Sequence, residues 1–254
     1  LRDSSQWPEF NGAQQRIITR MIQSAEQSGI SLTGNDRERF NAIEQTLTQL
    51  STDYSNNVLD ATRAFHLDLT DAADVEGFPA SLRRMTAAAW TRAEEHKEQP
   101  AAAVESGPWR MTLDHPCFGP FMEHCRNREL RETLYRAYIT RAGSGDTDNT
   151  PLISQILQLK KEKAALLGFE CYADLSLSRK MAGDVPAVQQ MFDRLLAASH
   201  EVAKRELEEI TDLAQQNGHA GPLSHWDIAF WAERMREQRF DFTDEQLRPY
   251  FSLD

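Results

Sequence analysis

Residues 35–62 read NDRERFNAIEQTLTQLSTDYSNNVLDAT, and Phe40, Ile43, Leu47, Leu50, Tyr54 and Val58 recur there at spacings of three and four. That is the period of one face of an α-helix rather than the alternation of a strand, so the stretch predicts a long amphipathic helix. Asn35 with Glu38 three residues on has the form of a capping box and marks its expected start. The same punctuation recurs at Thr150 followed by Pro151, at Ser224 with Asp227, and at Thr243 with Gln246. A second long helix is expected over 186–217, carried by Val188, Phe192, Leu195, Val202, Ile210 and Leu213 and stopped by Gly218.

Two short segments break this pattern. Phe65, Leu67 and Leu69 alternate with polar residues, as do Trp109, Met111 and Leu113. The expected fold is therefore mostly α, with a small two-stranded element around Phe65–Leu69 and Trp109–Leu113 and a helix over 79–98 between them. Surface loops are expected over 99–107, the candidate sub-boundary of an otherwise single helical domain spanning 1–254, and over 143–149. No internal repeat is visible.

Composition excludes several functions. The 28 basic and 39 acidic residues give a net charge of −11, which repels a phosphate backbone, so no nucleic-acid partner is expected. No apolar run approaches the roughly 18 to 20 residues of a membrane span, and no membrane partner is expected. Cys117, Cys125 and Cys171 are too few and of odd number for a disulfide framework, which points to a reducing, intracellular compartment. The chain opens on Leu1 rather than Met. The expectation is that its native start lies upstream, with a cleaved targeting sequence among the options.

The reactive residues form no recognisable catalytic pattern. His115, Cys117, His124 and Cys125 are all of zinc-binding type. However, adjacent positions on a helix point about 100° apart, and Pro116 and Pro120 favour a turn into a helix whose Cys and Phe fill a core. His219 and His225 fit loop and cap positions. No serine lies in a Gly-x-Ser-x-Gly elbow, and GSGD at 143–146 lacks the following Lys and the preceding strand of a phosphate loop. Glu94 and Glu95 read as solvated carboxylates, as do the mixed charges of 160–163 and 204–209. Arg128, Arg131, Tyr135, Arg136, Tyr138 and Arg141 occupy neighbouring turns of one helix; packing accounts for them most simply, and a peptide-lining groove is the sharper alternative. Trp226, Phe230 and Trp231 pose the same choice. From the residues themselves, no catalytic or metal-binding residue is assigned and no substrate-binding residue is identified.

Longer blocks go further. SNNVLDAT at 55–62, GPWRMTLDHPCFGPFM at 107–122, NRELRETLYRAYITRA at 127–142, DNTPLISQILQLKKEKAALLGF at 148–169, LLGFECYADLSLSRKMA at 166–182 and HWDIAFWAERMREQRFDFTDEQLRPYF at 225–251 stand in one order. SGISL at 28–32 precedes the first long helix. Together they resemble the amino-terminal-to-middle part of the oligopeptidase A and thimet oligopeptidase family of zinc metallopeptidases, most closely its plant and algal organellar or cytosolic members. The resemblance implies a helical lobe of a two-lobed enzyme around a narrow channel, and a zinc held by His-Glu-x-x-His and a later glutamate. No His-Glu-x-x-His occurs among the 254 residues.

The resemblance therefore implies a channel wall that is inactive alone and binds no zinc itself. The zinc would sit in the parent enzyme, in a carboxy-terminal catalytic part of the same protein or of a separate chain. The implied substrates are short unstructured peptides, cleaved targeting peptides among them, and the implied compartment is the cytoplasm, mitochondrion or chloroplast. Two alternatives stand beside it: a peptide-binding or assembly module without catalysis, and a metal-binding domain using the 115–125 cluster. At 115–119 the chain departs from the family's more hydrophobic Pro-Ser-Tyr-Leu-Pro type sequence, and Gly119 before Pro120 weakens the expected helix there.

Overall fold

The computed structural model describes residues 5–94, 101–247 and 250. In chain order the elements are α1 (Gly12–Gln27), α2 (Gly34–Ala64), β1 (Leu67–Leu69), α3 (Ala80–Glu94), β2 (Trp109–Met111), α4 (His115–His124), α5 (Arg128–Ile139), α6 (Thr150–Leu166), α7 (Tyr172–Leu177), α8 (Val185–Gln216), α9 (His225–Phe240) and α10 (Asp244–Leu247). The chain is mostly α, and its described residues hold one two-stranded antiparallel sheet, as the periodicities predict. Residues 95–98 of the expected helix after Pro79, Glu95 of the acidic pair, residues 99–100 of the expected loop, and Arg248, Pro249 and Phe251 lie outside the described residues.

The chain divides into two compact units, Leu1–Asn56 with Asn149–Ala198, and Asn57–Asp148 with Ser199–Asp254. In the first, the apolar stripe of α2 places Phe40, Ile43 and Leu50 in the core, joined by Ala164 of α6 and Leu175 of α7. Arg39 and Glu162 form a two-pronged ion pair at 2.5 and 2.6 Å, and Lys163 reaches Glu44 at 2.7 Å. The Arg39–Glu162 pair is solvent-facing and contributes little to stability, whereas the Lys163 side chain is largely covered where it meets Glu44. Gln23 and Gln27 of α1 donate to Ser178, at its carbonyl and its hydroxyl. Gly29, in the SGISL block, sits at φ 74° with the Phe40 ring where a Cβ would come within 2.9 Å, so a side chain there meets both backbone strain and a clash.

In the second unit β1 and β2 pair with Leu67 opposite Met111, Asp68 opposite Arg110 and Leu69 opposite Trp109. Alternation turns Leu69, Trp109 and Met111 inward, while Arg110 clasps Asp68 at 2.6 and 2.7 Å on the other face. Trp109 is fully buried among Phe78, Leu82, Phe121 and Leu134, and its indole N–H donates to the Val104 carbonyl at 3.0 Å.

The helix starts depart from the sequence in two places. α2 begins at Gly34, a residue ahead of Asn35. The cap of α6 is Asn149 rather than Thr150, and its amide donates to the Tyr54 carbonyl rather than closing its own helix. At α9 the expected start holds: the Ser224 N–H donates to Asp227 Oδ2 at 3.0 Å. The Thr243 N–H likewise donates to Gln246 Oε1 at 2.8 Å. Despite Gly119 and Pro120, α4 is continuous from His115 to His124, because Pro116 occupies its first turn and Phe118 stacks on Tyr138 with ring centroids 3.9 Å apart.

Candidate functional site

The polar chemistry of the second unit gathers where α4, α5 and α9 meet. Asp227, in the first turn of α9, is fully buried and accepts hydrogen bonds from Arg128 Nη2 at 2.8 Å, Arg131 Nη2 at 2.9 Å and the Ser224 N–H. Arg131 is itself buried and donates further to the carbonyls of Trp226, Cys125 and Arg126, at 3.0, 2.8 and 3.3 Å. Burial pushes the Asp227 carboxyl upward, but its hydrogen bonds from Arg128, the Ser224 backbone and Arg131 outweigh that and hold it below the usual aspartate range. The guanidinium of Arg131 also lies over Phe230 at 4.4 Å, and Arg128 and Arg136 lie over Trp226 at 5.5 and 4.9 Å. The arginine-rich face of α5 thus packs onto α9. Arg141, past the end of α5, instead lies 3.6 Å over Tyr138 of α5 and donates to the Tyr138 carbonyl at 2.8 Å.

About two and three turns further along α9, Glu233 and Glu237 approach His124 of α4. Among the described residues this is the group of His, Cys, Asp and Glu side chains able to hold a metal ion, with ligand atoms within 4.8 Å of one another. Its centre is already crossed by a cation: Arg234 Nη2 stands 3.1 Å from His124 Nδ1 and 2.8 Å from Glu237 Oε1, while Arg236 pairs Glu233 at 2.6 Å. Burial, and then the neighbouring Arg234, lower the His124 pKa against the pull of Glu233 and Glu237, so the imidazole is neutral near pH 7 and accepts from Arg234. The donor set does not fit the zinc that the resemblance implies. A zinc ion would have to displace a guanidinium that already satisfies the same acceptors.

The 115–125 cluster is not brought together as a metal site. His115 is exposed at the start of α4. The Cys117 sulfur lies in the core and accepts from the Thr112 N–H at 3.4 Å. The Cys125 thiol faces the Asn127 carbonyl at 3.5 Å, and burial pushes its pKa up to about 11. A protonated thiol is a poor ligand. His225 stacks near Tyr135, and His219 meets the edge of Trp231. An open recess of about 670 Å³ adjoins the Arg234 network, between Leu213 and Gln216 of α8 and Phe230, Trp231, Arg234 and Glu237 of α9.

Sequence reasoning missed two partnerships. The Ser224 and Asp227 capping signal is local and readable, but nothing in its neighbourhood shows that Asp227 also neutralises arginines about a hundred positions earlier. The ERMRE stretch at 233–237 likewise gives no hint of its proximity to His124. The Glu233 and Glu237 spacing of four, which places both on one helix face, is the one signal that could have singled them out.

A sequence description of peptidase family M3 matches residues 121–254, just over half of the chain. The chain is 44% identical over its whole length to probable cytosolic oligopeptidase A of Arabidopsis thaliana, covering 36% of that protein. It is also 44% identical to the organellar, chloroplastic/mitochondrial oligopeptidase A of the same plant, covering 32% of it. To oligopeptidase A of Escherichia coli strain K12 it is 37% identical over 99% of the chain and 36% of that protein. The chain thus spans about a third of the length of these relatives, and with the matched half and the whole-length identity it belongs to peptidase family M3.

Proposed function

We propose that this chain is the amino-terminal-to-middle portion of a zinc-dependent oligopeptidase, and that it performs no hydrolysis by itself. The observation that carries this reading is the match itself: all of the chain aligns with oligopeptidase A, while about two-thirds of that relative has no counterpart in it. Peptide hydrolysis near neutral pH needs a polarised carbonyl and an activated water or nucleophile. The groups that converge among the described residues are neutralised by one another: Asp227 by Arg128 and Arg131, Glu233 by Arg236, and Glu237 by Arg234. Such a region supplies structure to a channel wall rather than chemistry.

In this reading the substrates are short unstructured peptides, cleaved targeting peptides among them, which a narrow channel admits while excluding folded proteins. The catalytic portion is the partner, and it carries the zinc. The names of the plant relatives, one cytosolic and one organellar, support a cytosolic or organellar setting. Among the described residues no helix is long and apolar enough to cross a membrane.

The test is a fluorogenic-peptide assay on two proteins: the chain alone, and a chimera in which it replaces the matching third of the Arabidopsis cytosolic relative. The chimera is expected to cleave the peptide and to lose activity to a chelator. The chain alone is expected to show no turnover and, by elemental analysis, well under one zinc per molecule. Chelator-sensitive cleavage by the isolated chain would overturn the proposal.

A further inference from the structure

His124 of α4 is 8% exposed, and the charges that act on it come from one stretch of α9: Glu233, Arg234, Arg236 and Glu237. Arg234 is the link. Its Nη2 lies 3.1 Å from His124 Nδ1 and 2.8 Å from Glu237 Oε1, its Nε lies 2.8 Å from Glu237 Oε2, and Arg236 holds Glu233 at 2.6 Å. Of the other elements packed against α4, α3 carries Arg83, which donates to the Val75 carbonyl and faces Glu105, and α5 carries Arg131, which is committed to Asp227. Along the chain itself Glu123 precedes His124, and Arg126 follows it and pairs with Glu76.

This network has two settings, separated by one proton. A neutral imidazole accepts from Arg234, whereas an imidazolium carries a donor on both ring nitrogens, so the same contact sets two cations against each other. His124, Glu233 and Glu237 each place a nitrogen or oxygen within 4.8 Å of the others, so the imidazolium meets a carboxylate without any helix moving. Arg234 also has somewhere to go. Its side chain is 23% exposed and lines, beside Trp231 and Glu237, the open recess of about 670 Å³, where Gln216 and Gln238 carry amide oxygens able to receive a guanidinium. All of these residues belong to one compact unit. We infer that His124, Arg234 and Glu237 form a proton-operated switch on the recess: with His124 neutral, Arg234 bridges it to Glu237 and the recess stands open, and with His124 protonated, the imidazolium takes Glu237 and the guanidinium turns out into the recess. Burial and the neighbouring Arg234 favour the neutral imidazole, so the acid setting is reached below the ordinary histidine value of about 6.5. A local change of charge partner is thereby read out as a change in the shape of a cavity.

The experiment is an NMR titration of the chain from about pH 7.5 to about pH 5, following the His124 Cε1–H and the indole N–H signals of the five tryptophans. The Trp231 signal is expected to shift along a one-proton curve that shares the His124 midpoint, while that of Trp109, buried in the core, stays in place. Two substitutions carry opposite signs. Arg234→Met takes away the cation that opposes protonation, so it should raise the His124 midpoint and abolish the Trp231 shift; Glu237→Gln takes away the waiting carboxylate and should lower the midpoint. A Trp231 signal that holds still while His124 titrates, or that still shifts in Arg234→Met, would overturn the switch. So would a midpoint that neither substitution moves, which would make the cluster a fixed packing contact, and a His124 that stays neutral throughout. A shift of Trp109 together with Trp231 would also sink it, as general acid unfolding rather than a local exchange of partners.

Discussion

Replacing Asp227 by Ala removes the counter-charge of Arg131, whose side chain is only 3% exposed, and takes an acceptor from Arg128 and from the Ser224 N–H. Breaking a buried pair by deleting one partner costs about 3 to 5 kcal/mol, because the surviving charge is stranded away from water. At roughly 1.4 kcal/mol per factor of ten, amide exchange through unfolding of α5 and α9 should accelerate by about 140- to 4,000-fold. Helices α1 and α6, in the other unit, serve as internal references in the same mass-spectrometric experiment. Asp227→Asn keeps the volume and one acceptor oxygen, and should cost about 1.5 to 3 kcal/mol through the loss of charge-assisted bonding. Arg128→Ala, at a side chain 45% exposed, should cost about 1 kcal/mol or less. The pH dependence follows from the depressed carboxyl: its stabilisation is fully present above the ordinary aspartate pKa of about 4, and is lost as pH falls through the lower folded value. Asp227→Asn should therefore flatten the acid limb of the stability profile. An acceleration below about tenfold for Asp227→Ala would refute the claim that this carboxylate locks α5 to α9.

Three further outcomes are expected. Trp109→Ala empties the centre of the second core and should lower the stability of that unit by about 3 to 5 kcal/mol, read as a shift in its urea midpoint. A disulfide reagent should titrate the exposed Cys171 quickly and reach Cys117 and Cys125 only on unfolding, since burial raises both thiols, Cys125 to about 11; three equally fast thiols in the native protein would contradict this. The lowered pKa of His124 means that the unfolded chain takes up its proton first, so the second unit should lose stability as pH falls below about 6.5, and His124→Gln should remove that part of the slope between pH 7 and 5.

Local order was largely legible in the sequence because its causes are local. The stripe of α2 follows from a period, the opening of α9 from Ser224 and Asp227, and the sheet from two alternating segments whose inward residues, Leu69, Trp109 and Met111, became core. Where a cap residue had a better offer the reading slipped: Asn149 spends its amide on the Tyr54 carbonyl, a contact no window around residue 149 contains. Of the arginine helix, Arg131 is buried against Asp227 and Phe230, while Arg128 and Arg136 lie over Trp226 with their side chains still half-exposed.

What the sequence could not supply was the difference between an apolar stripe that is covered and one that is not. The same three-and-four spacing of apolar residues predicted a buried stripe for α2 and for α8. Yet Phe40 and Ile43 are buried, while Phe192 and Leu195 stand in water. Periodicity reports which face a helix must hide, not whether the chain at hand contains enough material to hide it. For α2 some of the cover lies within the same unit, where Phe40 packs on Gly29 and Lys163 of α6 lies 5.7 Å over its ring. For α8 the period marks an apolar face just as clearly, and the exposure of Phe192 and Leu195 is a fact of packing that no repeat in the sequence reports.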